Sequence, residues 1–246
     1  DLHSTSRRQR QMCIRDRLPI DCEKFMRDNT GKYTSLLWEP NEYINIMVYP
    51  FTDSQILGIS TFPYSLKDFF LEGTQQVSAS WITLENLSFP YCISINSSYI
   101  YEQSTDERIN QNDAAITLAH ELGHYLGLRH VFSEGGTTSM CTDTDYCKDT
   151  PSYNRSEYEQ WLNNLDKQNK YQLKDLAKRY SCEKGEYEAH NIMDYAYCFY
   201  NEITLEQRKR IRHILNYSPL IPGPKESRID TRGVQGRLNL PICIMK

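Results

Sequence analysis

Apolar side chains first gather into short β-rich runs along this chain and later recur at helical spacing. Tyr43-Ile44-Asn45-Ile46-Met47-Val48-Tyr49 is dense in β-branched and aromatic residues and ends at Pro50. Ile56-Leu57-Gly58-Ile59-Ser60-Thr61-Phe62 is stopped by Pro63, and Tyr91-Cys92-Ile93-Ser94-Ile95-Asn96 makes a third run. Before them, residues 18–40 are mixed, with a turn signal at Asp28-Asn29-Thr30-Gly31. A helix is expected to begin near Asn112 or Asp113, so the first part reads as an α/β unit with a mixed sheet. In residues 155–181, Tyr158, Trp161, Leu162 and Leu165 recur at spacings of three and four, as do Leu173, Leu176 and Tyr180, which predicts helix. Thr204-Leu205-Glu206-Gln207 is a capping box that opens a further helix. Leu205, Ile211, Ile214 and Leu215 fall on one side of it, with Arg208, Lys209, Arg210 and Arg212 mostly outside. The Pro-rich stretch from Tyr217 to Lys225 ends that helix, and residues 226–246 show no clear periodicity.

Composition narrows the class without deciding it. The chain has 246 residues, 39% hydrophobic and 24% charged, an ordinary globular balance that suits one large or two small domains. A net charge of −4 gives no reason to expect a nucleic-acid partner. No apolar run approaches the roughly 20 residues of a membrane span. Gln11 to Arg17 back-translates onto a transposon-end sequencing adapter, so residues 1–17 are expected to be an assembly artefact or else a disordered basic leader. Eight cysteines are present, and Cys141, Cys147, Cys182 and Cys198 crowd one segment without any C-x-x-C pair. Disulfides in an oxidising compartment are the expectation, with Cys141–Cys182 and Cys147–Cys198 the favoured pairings.

The chemistry concentrates in His120-Glu121-Leu122-Gly123-His124-Tyr125-Leu126-Gly127-Leu128-Arg129-His130, which reads H-E-x-x-H-x-x-G-x-x-H. On a helix, His120 and His124 project side by side one turn apart, a spacing at which two neutral imidazoles grip one Zn²⁺. Glu121 is close enough to reach a water at the metal without ligating it. Gly127 lets the backbone leave the helix, and His130 returns as a third ligand. Three protein ligands leave a fourth position open, the arrangement of a catalytic zinc. Five fixed positions in this pattern arise by chance in a chain of this length on the order of 10⁻⁵.

This string is the extended zinc signature of the metzincin metallopeptidases, and the resemblance continues downstream. Asn191-Ile192-Met193-Asp194-Tyr195 is similar to the metzincin methionine turn, with Met193 63 residues after His130. The resemblance implies Met193 beneath the metal and Tyr195 as a residue that binds it or stabilises the transition state. The pappalysin branch is resembled in particular, over roughly residues 43–216, through a strand like Ile44–Tyr49 followed by the L-G-x-x-x-F-P segment Leu57 to Pro63. By that resemblance Gly58, Ile59, Ser60 and Thr61 form the edge of the sheet, where an extended peptide substrate adds as a further strand. Clustered acids at Asp143, Asp145 and Asp149, with a D-T-P stretch, make calcium a second candidate ion.

The expected fold is therefore an α/β (α+β) metzincin-type catalytic domain over residues 18–225. Its upper half spans about 18–127 and carries a mixed twisted sheet and the active-site helix. The lower half spans about 128–225, is loop-rich, helix-rich and disulfide-braced, and ends in a C-terminal helix; residues 226–246 form a tail. The Pro-rich end and the D-T-D-Y-C-K-D-T-P stretch resemble metalloproteinase lipoproteins of gut Bacteroidota. That similarity implies an extracytoplasmic, secreted or cell-envelope protein, with a lipid anchor on a missing N-terminus. The expected function is zinc-dependent endopeptidase action on a protein or peptide substrate by a monomer, with Glu121 as general base. The alternative is a catalytically silent zinc-holding module that binds a partner on its edge strand. The preference of several pappalysins for a basic residue after the scissile bond rests on an acid beyond the Met. It does not carry over, because Ala196-Tyr197-Cys198-Phe199-Tyr200 contains none.

Overall fold

The computed structural model describes residues 18–78, 82–133, 145–165, 171–181, 183, 185–225 and 242–245. A short helix α1 (Cys22–Arg27) is opened by Asp21, whose carboxylate accepts from Lys24 N–H, and it buries Cys22, Phe25 and Met26. Strand β1 (Ile46–Tyr49) keeps Ile46 and Val48 45% and 47% exposed, as suits a sheet edge. Strand β2 (Gly58–Thr61) is buried along its whole length. A small parallel pair, β3 (Tyr64–Leu66) and β4 (Gln75–Val77), follows. Strand β5 (Ile93–Asn96) is again fully buried and lies between β1, to which it is parallel, and β2, to which it is antiparallel. The mixed sheet and the three β-rich runs thus fall where the apolar pattern places them.

Helix α2 (Ala114–Tyr125) follows Asp113 and packs on β2 and β5, burying Thr117, His120, Glu121, Gly123, His124 and Tyr125. The residues after it form a second four-stranded sheet. Its strands are β6 (Phe132–Ser133), β7 (Tyr153–Asn154), β8 (Lys178–Ser181) and β9 (Gly185–Glu188), in that spatial order. Between β7 and β8 lie helix α3 (Arg155–Asn164), capped by Asn154, and the single turn α4 (Leu173–Leu176). The helical expectation for 155–181 is correct for α3 but fails at its end. Arg179 points in and is fully buried, whereas Tyr180 points out and is 66% exposed, an alternation of period two that only a strand provides. Pairing with β9, not local spacing, decides this segment.

Helix α5 (Leu205–Tyr217) begins with the anticipated capping box. Gln207 N–H donates to Thr204 Oγ1 at 3.3 Å, and Thr204 N–H donates to Gln207 Oε1 at 3.0 Å. Its inner face differs from expectation. Ile214 is buried, but Leu205 is exposed and Arg210 is buried. Arg210 turns inward because it caps carbonyls, donating through Nη2 to Glu72 O at 2.9 Å and to Gly127 O at 3.2 Å.

Strand β10 (Ile242–Met245) lies in the stretch expected to be an irregular tail, and it pairs antiparallel with β2. The order of the first sheet is therefore β1-β5-β2-β10. Gly58–Thr61 is consequently not a free edge, since its second side is covered by the chain's own strand. The cysteine expectation also needs correction. Cys147 and Cys198 are free thiols, each buried in its own loop, where Cys147 Sγ contacts Asp145 O and Cys198 Sγ contacts Asn191 O. Cys141 and Cys182 lie outside the described residues. Among the described residues, no helix is long and apolar enough to cross a membrane.

Candidate metal centre and active site

Helix α2 delivers two of the three histidines and then ends abruptly so that the third can return. Gly127 N–H donates to His124 O and Leu128 N–H to Gly123 O, both at 2.9 Å, which closes the helix with paired reverse bonds. Gly127 sits at φ +88°, where a side chain would be strained, and an added Cβ would lie 2.8 Å from Ile214 Cγ1. This turn brings His130 back over the helix, where Phe132 stacks on its ring at 4.7 Å.

The three imidazoles converge through Nε2. The separations are 3.1 Å for His120 to His124, 3.2 Å for His120 to His130 and 3.0 Å for His124 to His130. Tautomers at two of them follow from the outer nitrogens. His120 Nδ1 donates to Ile192 O at 2.8 Å and His124 Nδ1 to Leu128 O at 2.9 Å, so both Nε2 lone pairs face inward. Burial pushes all three toward the neutral form, His120 down to about 4 and the other two well below their ordinary value. Neutral nitrogens aimed at one point repel unless a cation lies between them. A tetrahedral zinc with ordinary Zn–N bonds sets nitrogens about 3.3 Å apart, close to what is found, so the donor set fits zinc. Among the described residues, these three histidines are the group whose ligand atoms converge in this way.

Glu121 is fully buried beside them and faces β2. An added Cβ at Gly58 would lie 2.6 Å from Glu121 Cγ, so only glycine lets the strand pass this carboxylate. Ile59, Ser60 and Thr61, the other expected substrate contacts, have buried side chains, and their backbone runs between β5 and β10. Met193 is buried with its sulfur against Gly123 of the zinc helix, and Val131 N–H donates to Met193 O at 3.3 Å. Tyr195 lies with its ring centroid 4.5 Å from that of His130 and 5.5 Å from that of His120.

A supporting layer lies below the metal centre that the motifs did not disclose. Asp194 accepts from Tyr153 Oη at 2.5 Å and from Tyr195 N–H at 2.7 Å, and lies 3.6 Å from Arg179 Nε. Arg179 also donates to Ala196 O at 2.9 Å and Tyr195 O at 3.3 Å, and its guanidinium stacks 3.7 Å over the Tyr158 ring. Burial raises Asp194, partly offset by the guanidinium; burial alone would lower Arg179, but Asp194 and the two tyrosines reverse this and hold it charged. Asn191 ties the same turn to α5, donating to Gln207 Oε1 at 2.8 Å. Asp194 was visible inside the N-x-M-x-Y string, whereas nothing local marked Arg179, and Ile192 O and Leu128 O are backbone atoms without a sequence signal.

The calcium expectation finds no support. Asp149 is spent on the start of α5, accepting from Thr204 Oγ1 at 2.8 Å and Glu206 N–H at 2.9 Å. Asp145 accepts from Cys147 N–H and Thr150 Oγ1 within its own loop. Asp143 lies outside the described residues.

Comparison with known proteins agrees with the centre. The family described as pregnancy-associated plasma protein-A matches residues 73–216. An extracellular metalloprotease of Arthroderma otae is 31% identical over 188 residues, covering 75% of this chain and 55% of that protein. Another, of Trichophyton verrucosum, is 30% identical over the same shares. The chain thus spans about half the length of the curated relatives it matches. Mature mirolysin of Tannerella forsythia, solved in complex with a cleaved peptide, is similar at 20% identity with a TM-score of 0.42, over 79% of this chain and 60% of that one. With the family match covering more than half of its length and including the whole histidine cluster, the chain belongs to the pregnancy-associated plasma protein-A family of metallopeptidases, the pappalysin branch of the metzincins.

Proposed function

We propose that the protein is a zinc-dependent endopeptidase. The observation that carries this reading is the convergence of three buried, neutral Nε2 atoms beside the Glu121 carboxylate. Zinc held by His120, His124 and His130 supplies, when bound, a Lewis acid and a water acidified to near neutrality. Glu121 accepts the proton of the attacking water and passes it to the leaving amine. Tyr195, held beside His130 by Asp194 and Arg179, offers its hydroxyl to the oxyanion of the tetrahedral intermediate. The substrate is an extended peptide whose backbone pairs with β2 in place of β10, beside the close approach of Gly58 to Glu121. The matched relatives are extracellular by name, and action outside the cytoplasm is proposed here on that similarity.

The test is hydrolysis of a diverse peptide library with and without a zinc chelator. Cleavage that the chelator stops and added zinc restores is expected, and cleavage indifferent to chelator would reject the metallopeptidase reading. Tyr195→Phe separates the roles of that ring. It is expected to lower kcat about 10- to 100-fold with KM little changed, because the lost hydrogen bond is made in the transition state. A rise in KM at constant kcat would reassign Tyr195 to substrate binding.

A further inference from the structure

Strand β10 lies antiparallel to β2 in continuous register, Ile242 opposite Thr61, Cys243 opposite Ser60, Ile244 opposite Ile59 and Met245 opposite Gly58. The hydrogen bonds to β5 show which groups of β2 face it. Thr61 N–H donates to Cys92 O at 3.1 Å, and Leu57 O accepts from Asn96 N–H at 2.9 Å. Leu57, Ile59 and Thr61 therefore turn their backbone groups toward β5, and the groups of Gly58 and Ser60 face the other way. Their partners there are Met245 and Cys243. Gly58 is also the residue packed against Glu121. The backbone of Met245 thus passes beside the catalytic carboxylate, and β10 also lies against α2, the helix that carries it.

An edge strand offers each main-chain donor and acceptor once. A peptide added to β2 needs the Gly58 and Ser60 groups that β10 now uses. We propose that β10 is an intramolecular occupant of the substrate edge, so that the conformation described is self-inhibited and becomes active when β10 leaves β2. This rests on the peptidase reading above. A tethered strand competes at an effective concentration on the order of millimolar, so free peptides present below that level are excluded while it is paired. A strand seated about nine-tenths of the time weakens apparent substrate affinity about tenfold.

The experiment compares the zinc-loaded full chain with Met245→Pro and with a chain ending at Pro241. Met245→Pro removes the N–H opposite Gly58 and leaves the rest of the protein intact. Amide hydrogen exchange at Gly58 and Ser60 reports edge occupancy, and the fluorogenic peptide library reports hydrolysis. Both variants are expected to lose protection at these two amides and to gain about tenfold in kcat/KM, chiefly through KM. Unchanged protection in Met245→Pro would overturn the proposal, even where the shortened chain fails to fold. Lost protection with unchanged hydrolysis in a chain that cleaves peptides would overturn the inhibitory role. Lost protection in chains that bind zinc and cleave nothing would uphold β10 as the occupant and reject the peptidase reading.

Discussion

Replacing Glu121 with alanine is expected to lower kcat at least about a thousandfold while the protein still binds one zinc. A positioned general acid–base typically contributes 10²–10⁴-fold, and in the proposed mechanism one carboxylate serves both directions of proton transfer. Metal affinity is held by other groups. The three Nε2 atoms are set by the helix spacing, by the return of the chain after Gly127, and by Ile192 O and Leu128 O at the outer nitrogens. Zinc content by elemental analysis and kcat on the best library peptide are the two measurements needed. Near-parental turnover in a zinc-loaded Glu121→Ala protein would remove Glu121 from the mechanism. Loss of zinc along with activity would show the carboxylate to be part of the metal's own support.

Arg179→Met is expected to cost about 3–5 kcal/mol of stability, the usual penalty for leaving one half of a buried ion pair uncompensated. At this chain length that is a fall in melting temperature on the order of 10 °C. Asp194 would keep its bonds from Tyr153 and the Tyr195 amide but lose its buried countercharge. The carbonyls of Tyr195 and Ala196 would lose the donor that holds them. The backbone there is strained, with Ala196 at φ +35° and Tyr197 at φ +48°, and it depends on such bonds to stay in place. Activity should therefore fall even where the variant is fully folded, because Tyr195 shares that loop. Adding Asp194→Asn to Arg179→Met should cost less than the sum of the two single changes, since no unmatched charge remains. Thermal unfolding of the two singles and the double checks this, and a single variant within about 1 kcal/mol of the parent would show that the pair supports little.

The parts of the centre written into one stretch of chain were legible, and the parts assembled across it were not. His120, Glu121, His124, Gly127 and His130 declare their geometry because helix spacing and a left-handed glycine are local rules. The Thr204 capping box is local in the same sense. Strands β1, β2 and β5 were readable because β-branched and aromatic residues crowd the runs that contain them and Pro50 and Pro63 stop two of those runs. Arg179 was not, because a buried cation looks like any surface cation until Asp194 and Tyr158 are brought to it. Arg210 misled for the same reason, since its partners are carbonyls of Glu72 and Gly127. Tyr180 lay at helical spacing from Leu176, yet β9 pairs with that segment and sets period two. Cys147 and Cys198 invited a bridge by their crowding, but each thiol is packed within its own loop. The covering of β2 by β10 joins segments far apart in sequence, and no residue in either one announces the other.

The contact between Gly58 and Glu121 bears on how gene sequences of this kind are sorted into live and dead enzymes. Here the carboxylate keeps its place only because the neighbouring strand carries no side chain at one point, and even a methyl group there would meet Glu121 Cγ at 2.6 Å. A lineage could therefore fall silent by a single change at position 58 with every signature residue intact. The glycine on the strand belongs in the diagnostic pattern along with the eleven residues on the helix and its turn.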